Sequence, residues 1–188
     1  KIEVFSQYLF DEDMRQMGLN DDNVQNTNMA FISIIGTKEC LEYYLDEGET
    51  KHFFKDHPNV LNLDFDDIGE DVMYNGHHFK TMTMEQAENT VDFIETAIKN
   101  KVDVIKIHCR AGYSRSRATT EWIYRYCKEH DIDIEYEDRN DYTTFLNQGV
   151  LMRLNHAYWK KHKMNNYANG EDYDDNLKHP KIREINRD

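Results

Sequence analysis

The sequence predicts an α/β fold: a single layered domain with a central, largely parallel sheet flanked by helices. Three observations point there. Short apolar runs rich in β-branched residues alternate with longer stretches of helical periodicity. Strands separated by helices pair in parallel, because a parallel ladder needs a crossover connection. And 188 residues fit one domain with a sizeable core of its own, while two full domains would be a squeeze.

The elements follow in chain order. Ile2 to Leu9 carries the apolar alternation Ile2, Val4 and opens a sheet. Ala30 to Ile35 is an apolar run ended by Gly36, which suits a buried strand. Val60 to Phe65 alternates Leu61, Leu63, Phe65. Thr83-Met-Glu-Gln86 is a capping box, with Thr83 as N-cap and Gln86 three residues on. Ala87, Val91, Ile94 and Ile98 then follow at helical spacing. Val102 to Ile107 reads V-D-V-I-K-I and is the fourth strand. Ala118, Trp122, Ile123 and Tyr126 mark one face of a helix that starts near Ser114. Val150, Leu151, Leu154 and Tyr158 mark another, over about Asn147 to Lys161. Residues 1–164 therefore form the folded domain. From Asn165 to Asp188 the chain turns polar and acidic with few aliphatics, and reads as a tail.

Composition narrows the partners. Lys and Arg number 23 against 36 Asp and Glu, a net charge of -13. Such a surface repels DNA, RNA and anionic membranes, so any polyanion must be met by a local basic pocket. Mean hydropathy is -0.89, and no apolar run has the length to span a bilayer. Lys1 opens the chain without a charged-then-apolar leader, and the cysteines are an odd three: Cys40, Cys109 and Cys127. Both features predict free thiols in a reducing, cytoplasmic compartment. Cys40 and Cys127 read as small buried hydrophobes, with a disulfide to Cys109 as the redox alternative.

The chemistry is concentrated in Val104-Ile-Lys-Ile-His-Cys-Arg-Ala-Gly-Tyr-Ser-Arg-Ser-Arg117. A strand runs into a tight loop, and a helix leaves it. Loop N–H groups and the helix N-terminus make an anion nest. Gly112 lets the backbone fold close to a ligand. Arg115 offers a planar fork for two phosphate oxygens. Cys109 lies at the bottom of the nest, where the same dipoles favour a thiolate nucleophile. The Ser116 hydroxyl can donate to its sulfur. His108 either holds the loop by hydrogen bonding or ligates a metal with Cys109, His77 and His78; the histidine spacing fits no zinc pattern, so no metal is expected. Arg110 and Arg117 read either as a positive mouth for a dianion or as ordinary solvated arginines.

His108-Cys-Arg-Ala-Gly-Tyr-Ser-Arg-Ser116 resembles the signature loop of the cysteine-dependent protein tyrosine phosphatases, in the dual-specificity and small bacterial or viral branch. Val60 to Ile68 is similar to the strand and loop carrying that superfamily's general acid, and Thr83 to Ile94 to the helix before its signature strand. Leu146-Asn-Gln-Gly-Val150 resembles a helix start that usually reads Pro-Asn-x-Gly-Phe, with Leu146 and Val150 departing from it. The likeness is good over 60–127 and loose over 30–159. It implies a phosphatase acting through a phosphocysteine on Cys109, with Arg115 on the phosphoryl group and no metal or organic cofactor. Arg110, Ala111, Gly112, Tyr113 and Ser114 would line the phosphate site. The expected substrate is a phosphorylated protein carrying phosphotyrosine, and potentially phosphoserine or phosphothreonine. The loop holds no lysine, which disfavours phosphoinositides.

The leaving oxygen needs a proton from a carboxylic acid. Strand alternation sets Asp64 and Asp66 on the face opposite Leu63 and Phe65, and puts Asp67 at the strand exit. The resemblance, in which the acid closes an apolar-x-Asp-Asp run, also favours Asp67, with Asp66 as the alternative general acid and Asp64 and Asp71 behind them. Three rival functions stay open: an RNA 5′-triphosphatase of the same superfamily, a rhodanese-like sulfur transferase, and a phosphate-binding module without turnover. Oligomeric state has no signal in the sequence.

Overall fold

A computed structural model describes residues 1–44, 49–139 and 145–168. The chain divides into two units. Lys1–Tyr158 holds the sheet and its covering helices, and Trp159–Asp188 is described only over its helical residues 159–168. The expected acidic tail from 169 onward lies outside the described residues.

Strand β1, Ile2–Ser6, is shorter than its alternation predicted. Ser6 stops it by capping helix α1, Gln7–Met17, where the Leu9 N–H donates to the Ser6 hydroxyl at 3.4 Å. Gly18, at φ +66°, ends α1 in the left-handed conformation, and the Gly18 and Leu19 N–H groups close its last carbonyls. Strand β2, Met29–Ile35, leads through Gly36 to the short helix α2, Lys38–Tyr43, capped by Thr37.

Strand β3, Val60–Asp64, is followed by an antiparallel hairpin of β4, Val72–Tyr74, and β5, His77–Phe79. Asn75 and Gly76 turn it, both at positive φ (48° and 82°), the geometry that favours Asn-Gly between paired strands. Helix α3, Met84–Lys99, carries the expected capping box: the Gln86 N–H donates to the Thr83 hydroxyl at 3.1 Å and the Thr83 N–H to the Gln86 side chain at 2.9 Å. Then come β6, Val104–Cys109; α4, Arg115–Glu129; β7, Tyr136–Asp138; and α5, Gln148–Ala168.

The fold class is as the sequence predicted. Five strands form one fully parallel sheet in the order β3-β2-β6-β1-β7. Both faces are covered, as an all-parallel sheet requires. On one face Ile105, Ile107 and Cys109 of β6 join Ile32, Ile94, Trp122, Ile123 and Leu154. On the other, Phe5, Phe10, Met14, Phe31 and Phe53 pack together, with Phe10 at the centre of edge-to-face contacts. Burying one such side chain contributes roughly 1.5–3 kcal/mol. Strand β6 is the middle strand, and its last residue is Cys109, beside Ser6 at the end of β1. Ligands of parallel sheets bind in the crevice beyond the carboxyl ends of the strands. Among the described residues, no helix is long and apolar enough to cross a membrane.

Candidate active site

Cys109 ends β6 and α4 begins at Arg115, so five residues turn the chain through the loop. Gly112 takes φ +81° there, a conformation that side chains resist. Its N–H points back at the Cys109 sulfur, 3.3 Å away. The Ser116 hydroxyl lies 3.1 Å from the same sulfur. Cys109 is buried, so both contacts act where water screens little. The first N–H groups of α4 have no partner within the helix and carry its positive dipole end. Donors of this kind can also meet an anion bound at the helix start.

Arg115 is buried and held from two sides. One terminal nitrogen donates to the Phe65 carbonyl at 2.8 Å and the other to Glu49 Oε1 at 3.0 Å. Its Nε has no partner. Burial alone would lower its proton affinity, but Cys109, Glu49 and Asp67 outweigh that and hold it above the ordinary arginine range. Glu49 escaped the sequence reading. It stands 66 residues from Arg115 with no local motif to announce it, and only the fold makes it the buried counter-charge.

The four candidate carboxylates separate by their partners. Asp66 is buried. Its oxygens accept from the Thr37 N–H at 2.8 Å, the Thr37 hydroxyl at 2.9–3.0 Å and the Lys80 N–H at 2.7 Å. It therefore ties the end of β3 to the start of α2 and to the segment that leaves the hairpin. Asp64 accepts from Gln86 at 3.2 Å, and Asp71 from the Thr81 N–H at 2.8 Å. That backbone bond, ahead of the opposing burial, holds Asp71 below the usual carboxylate range. Asp67 alone of the four bonds the loop: its Oδ1 accepts from the Ser114 hydroxyl at 2.6 Å, and from Asn147 Nδ2 at 2.8 Å. Ser114 is the N-cap residue of α4 but makes no side-chain cap bond; its hydroxyl is turned to Asp67 instead.

The remaining predicted residues are placed as follows. His108 is fully buried on the opposite face of β6, with its ring 4.3 Å from that of Phe10 and no hydrogen-bond partner at either nitrogen. It fills the core behind the loop. Burial first, then the charges of His52 and Arg115, push it down to about 3, against a small opposing effect of the Cys109 backbone. Arg110 is exposed, and its carbonyl accepts from the Gln7 N–H at 3.1 Å. Ala111 is half-buried and Tyr113 exposed. Arg117 fits neither reading made for it: it is buried, pairs with Asp138, and donates to the Tyr136 hydroxyl at 3.0 Å and the Gly112 carbonyl at 3.4 Å. It braces the loop against β7 from behind.

His77 and His78 lie on β5, and His78 sits 3.8 Å from Asp71. Among the described residues no three potential ligands cluster for a metal. All three cysteines are free thiols. Burial, then the neighbouring Asp66 carboxylate, push Cys40 up to about 12, and burial raises Cys127. Neither has the N–H and hydroxyl donors that surround Cys109. No model of a known protein family matches this chain, and no curated protein matches it.

Proposed function

We propose that this chain is a metal-independent phosphatase that hydrolyses phosphotyrosine in proteins through a phosphocysteine intermediate. One observation carries the reading: at the start of a helix a buried sulfur lies against a backbone N–H and a hydroxyl, the first residue of that helix is an arginine whose guanidinium is fixed in place, and an exposed carboxylate bonds the loop between them. Its likeness to the signature loop of the cysteine-dependent phosphatases adds to this.

The steps follow from the positions. The nest and Arg115 hold the phosphoryl oxygens, and stabilise them as charge shifts in the transition state. The Cys109 thiolate attacks phosphorus in line, the phosphorus–oxygen bond breaks, and Asp67 gives its proton to the leaving oxygen. Asp67, now ionised, takes a proton from water as that water attacks the phosphocysteine. Inorganic phosphate leaves, and the Ser116 hydroxyl donates to the departing sulfur. The reaction needs Cys109 reduced, which suits a reducing compartment such as the cytoplasm. The absence of lysine from the loop and the acidic balance of the chain favour a protein phosphomonoester over phosphoinositides or nucleic acid.

Hydrolysis of para-nitrophenyl phosphate in excess EDTA tests the proposal, with wild type beside Cys109→Ser. Turnover by wild type alone is expected. A folded wild type that is inactive here but transfers sulfur from thiosulfate would replace the reading with the rhodanese-like one.

A further inference from the structure

The start of α5 is built around one side chain that does two jobs. Asn147 is buried, and its Oδ1 caps the helix by accepting the Val150 N–H at 3.1 Å. Its Nδ2 points the other way, donating to Asp67 Oδ1 at 2.8 Å and to the Ile68 carbonyl at 3.3 Å. Serine and aspartate cap helices as well as asparagine does, but of these only asparagine adds an N–H donor. Gly149 lets the helix come this close: a Cβ there would meet the Gly69 carbonyl oxygen at 3.0 Å and Asn147 Oδ1 at 3.2 Å. From the opposite side, the Ser114 hydroxyl donates to the same Oδ1 at 2.6 Å.

We infer that Asn147 is the positioning residue of the general acid, and that with Ser114 it assigns the acid's proton to Asp67 Oδ2. The inference rests on the phosphatase reading above. Two donors occupy Oδ1, so in the protonated acid the hydrogen belongs on Oδ2, the oxygen left to face the ester. Asp67 is otherwise an exposed side chain on a loop, with several rotamers open to it. The bonds from two helix starts, α4 through Ser114 and α5 through Asn147, fix that rotamer over the nest before substrate arrives. Misplacing a reacting group by about 1 Å costs on the order of 100-fold in rate.

The test uses two esters that differ in their need for an acid. Para-nitrophenolate leaves readily, whereas phenolate, with a conjugate acid near pKa 10, leaves poorly without a proton. Asn147→Ser keeps the helix cap and removes the amide donor. It is expected to lower kcat/KM, which reports the ester-cleaving step alone, by about 100-fold for phenyl phosphate, and far less for para-nitrophenyl phosphate. Asp67→Asn should show the same pattern. Asn147→Asp, which also keeps the cap but sets an acceptor against Asp67, should reproduce the loss and serves if the serine variant fails to fold. Equal slowing of both esters, or none, would overturn the inference while leaving the phosphatase reading intact. If Asp67→Asn does not discriminate between them, Asp67 is not the acid and the inference falls with it; if wild type turns over neither ester, the phosphatase reading itself fails.

Discussion

His108 should govern much of the acid sensitivity of this fold. Its imidazole is sealed from solvent against Phe10, with neither nitrogen bonded, and burial followed by the positive charges of His52 and Arg115 lowers it from 6.5 to about 3. The folded chain holds the neutral ring. Its contribution is therefore complete above the unfolded value near 6.5, and is lost as pH falls from there toward 3, where the folded ring also takes a proton. At 1.36 kcal/mol for each pH unit, the full span corresponds to roughly 5 kcal/mol, of which about 2 kcal/mol is gone by pH 5. That is a large share of the ~5–15 kcal/mol typical of a domain. Urea unfolding of wild type and His108→Leu from pH 7 to pH 5 measures it. Leucine suits this apolar site and does not titrate, so wild type should lose about 2 kcal/mol relative to the variant between pH 7 and pH 5, and the gap between the two curves should change by that amount. Parallel curves would refute the argument, because the loss would then belong to other groups.

Two further outcomes separate structure from chemistry. Asp66→Asn should lower stability by roughly 1–3 kcal/mol in calorimetry, since it disturbs the buried bonds to Thr37 and Lys80, whereas Asp67→Asn should leave the unfolding midpoint in place and lower kcat. Glu3 sits in the sheet beside buried Lys106; burial raises its proton affinity, but the bonds from Lys106, Lys1 and Arg139 win and bring it to about 2. Its stabilisation is present above the unfolded value near 4.5 and lost as pH falls toward 2. Glu3→Gln should therefore cost on the order of 3 kcal/mol in urea unfolding at pH 7 and flatten the pH dependence below 4.5.

What could be read in advance was local. The signature segment from His108 to Ser116 announces its turn, nest and helix within nine residues, because the loop chemistry depends on neighbours in sequence. The capping box at Thr83 is local in the same way. The helix after Ser6 was missed because Ile2 and Val4 alternate while Phe10 and Met14, at helical spacing, come later; Gly18 was the stop signal that pointed to it. Asn75-Gly76 was an unused hairpin signal. Strand β7 is three residues long and owes its existence to pairing with β1. The choice between Asp66 and Asp67 turns on Thr37 and Lys80, which reach Asp66 from 29 and 14 residues away, and the part of Glu49 turns on a fold-made contact with Arg115. No periodicity encodes contacts of that kind.

The central claim is that Cys109 carries the phosphoryl group. Rapid acid quench of wild type turning over para-nitrophenyl phosphate, followed by mass mapping of the peptides, tests it directly. The account expects phosphate on the peptide containing Cys109, and none on that peptide from Cys109→Ala. Phosphate on another residue, or equal labelling of the Cys109→Ala protein, would contradict it.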